Sequence, residues 1–273
     1  MSTRLRYLYR AFRYRFRVDP AEIRFIRQCL RPGQVAVDIG CHKGAYAYWM
    51  RRSVGPTGIV YAFEPQPRQV AYLRDVFSAM QYDNVVLAPL AVSNRCGQMP
   101  LYMPHESTHF ASLQQRLQER TAKGEQRGAA SNSRHSAPCS TLSVDVTTLD
   151  DFFADSKRKT EMNSASDSGP HFLKIDVEGH ELAVLEGARR TLELHHPMIL
   201  VECEVRHRPD RDVHPVFEFL ESFGYMGSFF CNGRRLPLAE FDPAVHQQLD
   251  PTSDHLPSGY ANNFVFSFDG SDG

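Results

Sequence analysis

The stretch Val35-Ala36-Val37-Asp38-Ile39-Gly40-Cys41-His42-Lys43-Gly44 decides the fold class. Its first half is almost continuously apolar, the pattern of a strand buried on both faces, and it runs into a turn with glycines in G-x-x-x-G spacing. Ahead of it, Asp19-Pro20 reads as a helix cap with proline at the first helical position. Ile23, Ile26 and Leu30 follow at helical spacing, and Pro32-Gly33 ends the helix. Behind it, residues 45–52 read as helix, 59–63 as strand, 67–80 as helix and 85–92 as strand. Strands and helices in this rhythm predict βαβ units, and so an α/β fold with a mostly parallel sheet and helices on both faces.

The second half repeats the pattern less regularly. Residues 144–153 suggest a strand and a helix start, and His171–Asp176 is another buried strand. A helix follows with Leu182, Leu185, Ala188 and Leu192 on one face. Residues 198–205 form the next strand, whose alternation puts Glu202 and Glu204 on one face. A helix over 216–223 stops at Gly224, and 225–230 and 263–268 supply two final strands. Residues 114–141 and 156–170 are polar, with little periodicity, and read as insertions. The expected organisation is a basic aromatic segment, 1–18, followed by one domain over 19–273 that carries both insertions.

The chain has 273 residues, 42% hydrophobic and 23% charged, enough for one large α/β domain without a metal or disulfide staple. A net charge of −1 argues against a nucleic-acid-binding surface spread over the protein, and no nucleic-acid partner is expected. The cysteines form no CxxC pair. Neither a secretory leader nor a bilayer-length apolar run is present, which points to a cytoplasmic protein. Residues 1–17 differ from the rest: Arg4, Arg6, Arg10, Arg13, Arg15 and Arg17 interleave with aromatic residues and no acid. Two readings stay open. The segment packs its aromatics on the domain and leaves its arginines solvated, or it lies peripherally on an anionic membrane.

The glycine turn carries the first chemical argument. A nicotinamide loop uses G-x-G-x-x-G to cradle a pyrophosphate at a helix N-terminus. Here the middle glycine is missing, and Asp38 sits where a phosphate would be repelled. S-adenosylmethionine has no phosphate and carries an ammonium and a sulfonium, so an acidic turn with close-approach glycines suits it. At the tip of the second strand, in Phe63-Glu64-Pro65, Glu64 is placed to accept both ribose hydroxyls. The expected cofactor-binding set is Asp38, Gly40, Cys41, His42, Gly44 and Glu64.

Asp38-Ile39-Gly40-x-x-x-Gly44, Phe63-Glu64-Pro65, Leu90-Ala91-Val92-Ser93, Thr148-Leu149-Asp150-Asp151 and Lys174-Ile175-Asp176-Val177-Glu178-Gly179-His180-Glu181 together resemble the FkbM-type methyltransferases, in order and in spacing. Cys41-His42 departs from the small residue and Asn usual in that family. The resemblance implies a class I methyltransferase, Rossmann-like fold with a seven-stranded sheet and S-adenosylmethionine as donor. It also implies O-methylation of a sugar, glycolipid or natural-product hydroxyl, a small-molecule or glycan acceptor.

Methyl transfer is an in-line displacement, mainly a positioning task, and a hydroxyl acceptor needs help in losing its proton. Such groups belong at the carboxyl ends of the strands. The catalytic candidates there are Asp176, Glu178, His180 and Glu202, with Asp176 foremost; Glu202 and Glu204 either face the cleft or pair with Arg206. Asp176, Glu178 and Glu202 are hard oxygen donors suited to a divalent metal, but spacing alone does not establish one and no metal site is predicted. Two alternatives remain, an S-adenosylmethionine-binding protein without turnover and a nicotinamide-dependent oxidoreductase.

Overall fold

The computed structural model describes residues 2–104, 139–155, 169–249 and 256–268. Most of the two expected insertions, residues 114–138 and 156–168, lies outside the described residues; residues 139–141 belong to a strand.

The quoted stretch forms β1 (Val35–Ile39), buried throughout, and the turn feeds α3 (Ala45–Val54). β2 (Ile59–Phe63), α4 (Pro67–Ala79) and β3 (Val85–Ala88) follow as the alternation predicts. β7 (Phe172–Ile175) and β8 (Met198–Glu202) lie on the other side of β1. The chain then adds β9 (Tyr225–Cys231), β10 (Arg234–Pro237) and β11 (Asn263–Phe268), giving the order β10-β9-β11-β8-β7-β1-β2-β3. β3, β2, β1, β7 and β8 pair in parallel, and β11 lies antiparallel between β8 and β9. Two apolar layers cover the faces. One is built around Leu173, Val201, Leu220 and Phe264, the other around Ile26, Trp49, Leu73 and Phe172.

The sheet therefore has eight strands where seven were expected. The extra strand is β10. Asn232 and Gly233 both take positive φ, 50° and 73°, and make the tight turn that pairs Arg234 with Cys231. Asn-Gly is a strong hairpin signal.

Three further boundaries differ. The single strand expected over 85–92 is split at Pro89, which cannot donate to a ladder. β3 stays in the main sheet, while β4 (Ala91–Val92) joins a separate three-stranded sheet. There β5 (Gly97–Pro104) runs antiparallel to β6 (Cys139–Thr147), around Leu101, Val144 and Val146. The helix expected after Asp176 breaks into α6 (Glu181–Glu186) and α7 (Arg189–His195). α5 (Leu149–Ala154) supplies the reason: Asp150 accepts the amides of Arg190 and Thr191 at 2.9 and 2.8 Å and caps α7 from outside. Finally, β8 ends at Glu202, and a 3₁₀ turn, Val205–His207, takes Glu204 off the strand.

α1 (Thr3–Arg13) and a π-turn (Tyr14–Val18) precede α2 (Pro20–Cys29). Tyr7 and Ala11 are fully buried, Tyr7 edge-on to Tyr48, Phe77 and Tyr82. Trp49 donates its indole N–H to the Ala11 carbonyl at 2.8 Å. One face of the N-terminal segment is thus part of the core. Asp19 occupies the expected cap position of α2, but its carboxylate accepts the Tyr46 hydroxyl at 2.9 Å instead of capping.

Candidate active site

A cavity of about 1130 Å³ opens at the carboxyl ends of β1, β2, β7 and β8, and α1 and α2 wall one side. In an open parallel sheet this end is the usual place for a ligand.

On the β1–β2 side, backbone geometry does most of the work. Gly40 has φ 78°, and a Cβ there would lie 1.9 Å from the Asp176 carbonyl oxygen, so only glycine lets β1 leave the sheet beside β7. The amides of Gly40 and Cys41 both donate to the Phe63 carbonyl at 3.0 Å, tying the turn to β2. Cys41 is buried, and His42 takes a left-handed φ of 48°. Gly44, at φ 73°, precedes α3. The His42 amide donates to one Glu64 oxygen at 2.8 Å, and the Gln66 amide to the other at 2.9 Å. Burial nevertheless raises the Glu64 pKa to about 8. Asp38 is 1% exposed, and neither carboxylate oxygen has a hydrogen-bond partner among the described residues. Burial pushes its pKa to about 6, with the Lys174 charge pulling the other way. A buried carboxylate left in this state favours a cationic neighbour.

On the β7–β8 side, side chains hold side chains. Lys174, fully buried in β7, donates to Asp176 at 2.6 Å and lies 4.6 Å from the Tyr46 ring centre. Burial works against its charge, but Asp176, Glu202 and Asp38 together raise its pKa. Glu202 accepts the Asn262 amide at 2.9 Å, and burial raises its pKa well above the usual range. Glu178 reaches His207 Nδ1 at 2.6 Å. Burial opposes the His207 charge, yet the Glu178 carboxylate more than offsets it, and the imidazole pKa is raised.

The Glu178-Gly179 turn explains that last contact. The two residues have φ 49° and 93°, and a Cβ on Gly179 would come within 2.4 Å of the His207 carbonyl oxygen. A left-handed non-glycine residue is costly backbone, held here by its surroundings.

His180 lies at the cavity edge with Nε2 2.8 Å from Ser93 Oγ, and burial lowers its pKa to about 4. It is therefore neutral at neutral pH. Asp176, Glu178, His180 and Glu202 all border the cavity, as do Asp38, Gly40, Cys41, His42 and Glu64; Gly44 instead packs behind the turn against Leu73 and Tyr7. Glu204 takes the second of its two expected fates. It is buried, bonded to Arg206 at 2.8 Å and to the Tyr260 hydroxyl. Among the described residues no group of three or more His, Cys, Asp or Glu side chains has metal-site geometry. Sequence reasoning passed over Lys174 and Asn262 as site residues. A lysine inside the apolar run Phe172-Leu173-Lys174-Ile175 was a signal for the first; nothing local marks the second.

The Methyltransferase FkbM domain matches residues 38–226, which contain the glycine turn, Glu64 and the Lys174–Glu181 run. The chain belongs to the FkbM methyltransferase family. The match places the chain among methyltransferases, not nicotinamide oxidoreductases. No curated protein matches the chain. Among solved structures, methyltransferase FkbM from Methylobacillus flagellatus KT is 14% identical with a TM-score of 0.49. That match covers 97% of this chain and 55% of the other, so the FkbM family member described here spans about half the length of that relative. A putative rRNA-methylase from Clostridium thermocellum is 10% identical over 91% and 93% of the two chains, TM-score 0.48. An O-methyltransferase from Bacillus cereus, in complex with SAH, is 13% identical over 97% and 90%, TM-score 0.46. Likenesses this distant leave the acceptor open.

Proposed function

We propose that this FkbM methyltransferase methylates a hydroxyl oxygen of a sugar, glycolipid or natural product by in-line displacement. The donor sits against Asp38, Gly40, Cys41, His42 and Glu64, with Gly44 shaping the turn, and the acceptor sits against Asp176. One contact carries this reading. The donor turn abuts the Asp176 backbone at Gly40, so Asp176 is the carboxylate that begins where the donor turn ends. The residues fit the donor: Asp38 offers its positive charge a buried carboxylate that Lys174 offsets only in part, and Glu64 keeps lone pairs for ribose hydroxyls beyond the two amides it accepts. Bound there, S-adenosylmethionine supplies an electrophilic methyl on a sulfonium.

The remaining work belongs to the chain. Asp176 orients the acceptor hydroxyl and takes its proton, and Lys174 fixes the carboxylate that does so. Glu202, held by Asn262, supplies a second oxygen acceptor in the same cavity. Glu178, locked to His207, shapes the wall between them, and neutral His180 positions the edge of the cavity through Ser93. With a net charge of −1 over the chain, we expect no nucleic-acid acceptor.

The test is Asp176→Asn, with radiolabelled methyl transfer measured into glycan, lipid and small-molecule extracts. Turnover should fall roughly 10²- to 10⁴-fold, while S-adenosylhomocysteine affinity by calorimetry stays within about threefold. Near-normal turnover at intact affinity would refute the role of Asp176. Donor binding with no transfer by the unaltered chain into any extract would favour a binding protein without turnover.

A further inference from the structure

α1 has two apolar faces; the fold buries one and touches the other only where Phe12 meets Trp49 and Tyr48, with ring centres 5.3 and 6.1 Å away. Tyr7 and Ala11 face the core, with half-buried Tyr14 beyond them. On the opposite side Leu5, Tyr9, Phe12 and Phe16 recur at i, i+4, i+7 and i+11, the spacing of a single helical stripe. They are 54%, 60%, 44% and 64% exposed, and the Phe12 and Phe16 rings stack 6.2 Å apart, so the stripe continues through the π-turn. Arginines flank it: Arg6, Arg13 and Arg17 on one side, Arg4 and Arg15 on the other. Among the described residues Arg4, Arg6, Arg13 and Arg17 form no ion pair, and the segment holds no acid.

We infer that this face docks the protein on an anionic membrane surface, with the stripe at the headgroup–acyl boundary and the arginine rows on lipid phosphates. An exposed apolar stripe between rows of cations is the arrangement of an interfacial helix. Charge selects the occupant. Two copies of this face would set five arginines against five with no acid between them, which disfavours self-association. An RNA partner would use the arginines and rings but not the exposed aliphatic Leu5, which stacking does not need. The docking face is continuous with the cavity, since Arg13 and Arg17 flank the stripe and also line the cavity mouth. No helix among the described residues is long and apolar enough to cross a membrane, so the contact is peripheral. The inference goes beyond the proposed reaction and does not depend on it.

The experiment is co-sedimentation of the full chain with vesicles of phosphatidylcholine alone or containing about 30 mol% phosphatidylglycerol. Binding is expected to the anionic vesicles only, weakening as salt rises from about 0.1 M to about 0.5 M. Tyr9→Ser/Phe16→Ser and, separately, Arg4→Glu/Arg6→Glu should each weaken it at least about tenfold. Calorimetry with S-adenosylhomocysteine shows that each variant is folded, because none of these four residues touches the cavity. Four results would overturn the inference: no vesicle binding, equal binding to neutral vesicles, undiminished binding by folded variants, or a dimer in solution that Tyr9→Ser/Phe16→Ser converts to monomer. So would an RNA homopolymer bound more tightly than the anionic vesicles.

Discussion

At the β1–β2 end of the cavity the backbone supplies the structure, whereas at the β7–β8 end charged side chains support one another across strands. The first end is made of a glycine turn, two amides on the Phe63 carbonyl and two amides on Glu64. Every link there spans one βα turn or one pair of neighbouring strands. The second end is a web of Lys174 with Asp176, Glu202 with Asn262, Glu178 with His207, and Glu204 with Arg206 and Tyr260. Its partners come from β7, β8, the 3₁₀ turn and the segment before β11. A local backbone device tolerates change around it, while a buried charge web fails when one member is lost.

Lys174→Met is the sharpest way to break that contrast. It removes the cation that acts on Asp38, Asp176 and Glu202 together and leaves three carboxylates at close quarters. Breaking a buried pair by deleting one partner costs about 3–5 kcal/mol, so the urea midpoint at neutral pH should fall by a corresponding amount. Adding Asp176→Asn should recover part of the loss, because it removes the carboxylate nearest the missing ammonium. A change below about 1 kcal/mol would mean that water or rearrangement compensates the web, and the distinction between the two ends would lose its basis.

The two ends also differ in how far they could be read from the residues alone. Gly40, Asp38 and Glu64 are local: a turn that needs positive φ and an acid at a strand tip leave marks within ten residues of themselves. The parallel sheet was legible for the same reason, since periodicity reports burial. The acceptor end was legible only as a cluster of acids. Glu202 and Glu204 look equivalent by alternation, yet one borders the cavity and the other is bound to Arg206 and Tyr260, because β8 ends between them. That ending is set by long-range pairing to β11, which local pattern does not carry. The β5–β6 hairpin was missed on similar grounds, as its strands are separated by a long polar stretch.

Glu64→Gln probes the backbone-built end and should act more mildly. Its two oxygens each accept one amide, and glutamine replaces one of them with an NH₂ that faces a donor. Loss of one charge-assisted hydrogen bond is worth about 1.5–3 kcal/mol. S-adenosylhomocysteine affinity should therefore drop roughly ten- to hundredfold, with thermal stability little changed, since burial already penalises this carboxylate. A large stability loss with unchanged affinity would reverse the assignment and make Glu64 a structural brace of the turn.

The smallest effect separates the two ends by pH. Burial raises Glu64 from 4.5 to about 8, Glu22 and Glu181 from 4.5 to about 7, and Asp19 and Asp38 from 3.8 to about 6. Through those windows the folded chain holds protons that the unfolded chain has released, so stability falls as pH rises. His180 has the opposite sign: lowered from 6.5 to about 4, it adds stability as pH rises across that interval and nothing above it. The range from 6.5 to 8 is therefore free of His180; His207 and Glu202, both raised, act there with the same sign as Glu64, and the melting temperature of the unliganded protein should fall across it. Saturating S-adenosylhomocysteine, whose ammonium favours an ionised Asp38 and whose ribose favours an ionised Glu64, should flatten the decline and release protons on binding, as seen by calorimetry in buffers of different ionisation enthalpy. Asp176→Asn should shrink that ligand effect without abolishing it, because the Asp176 charge adds to the burial that holds both pKa values up. Donor binding with no proton release in this range would show that Glu64 is already ionised and hydrated, and the donor end would cease to be a desolvated, backbone-built site.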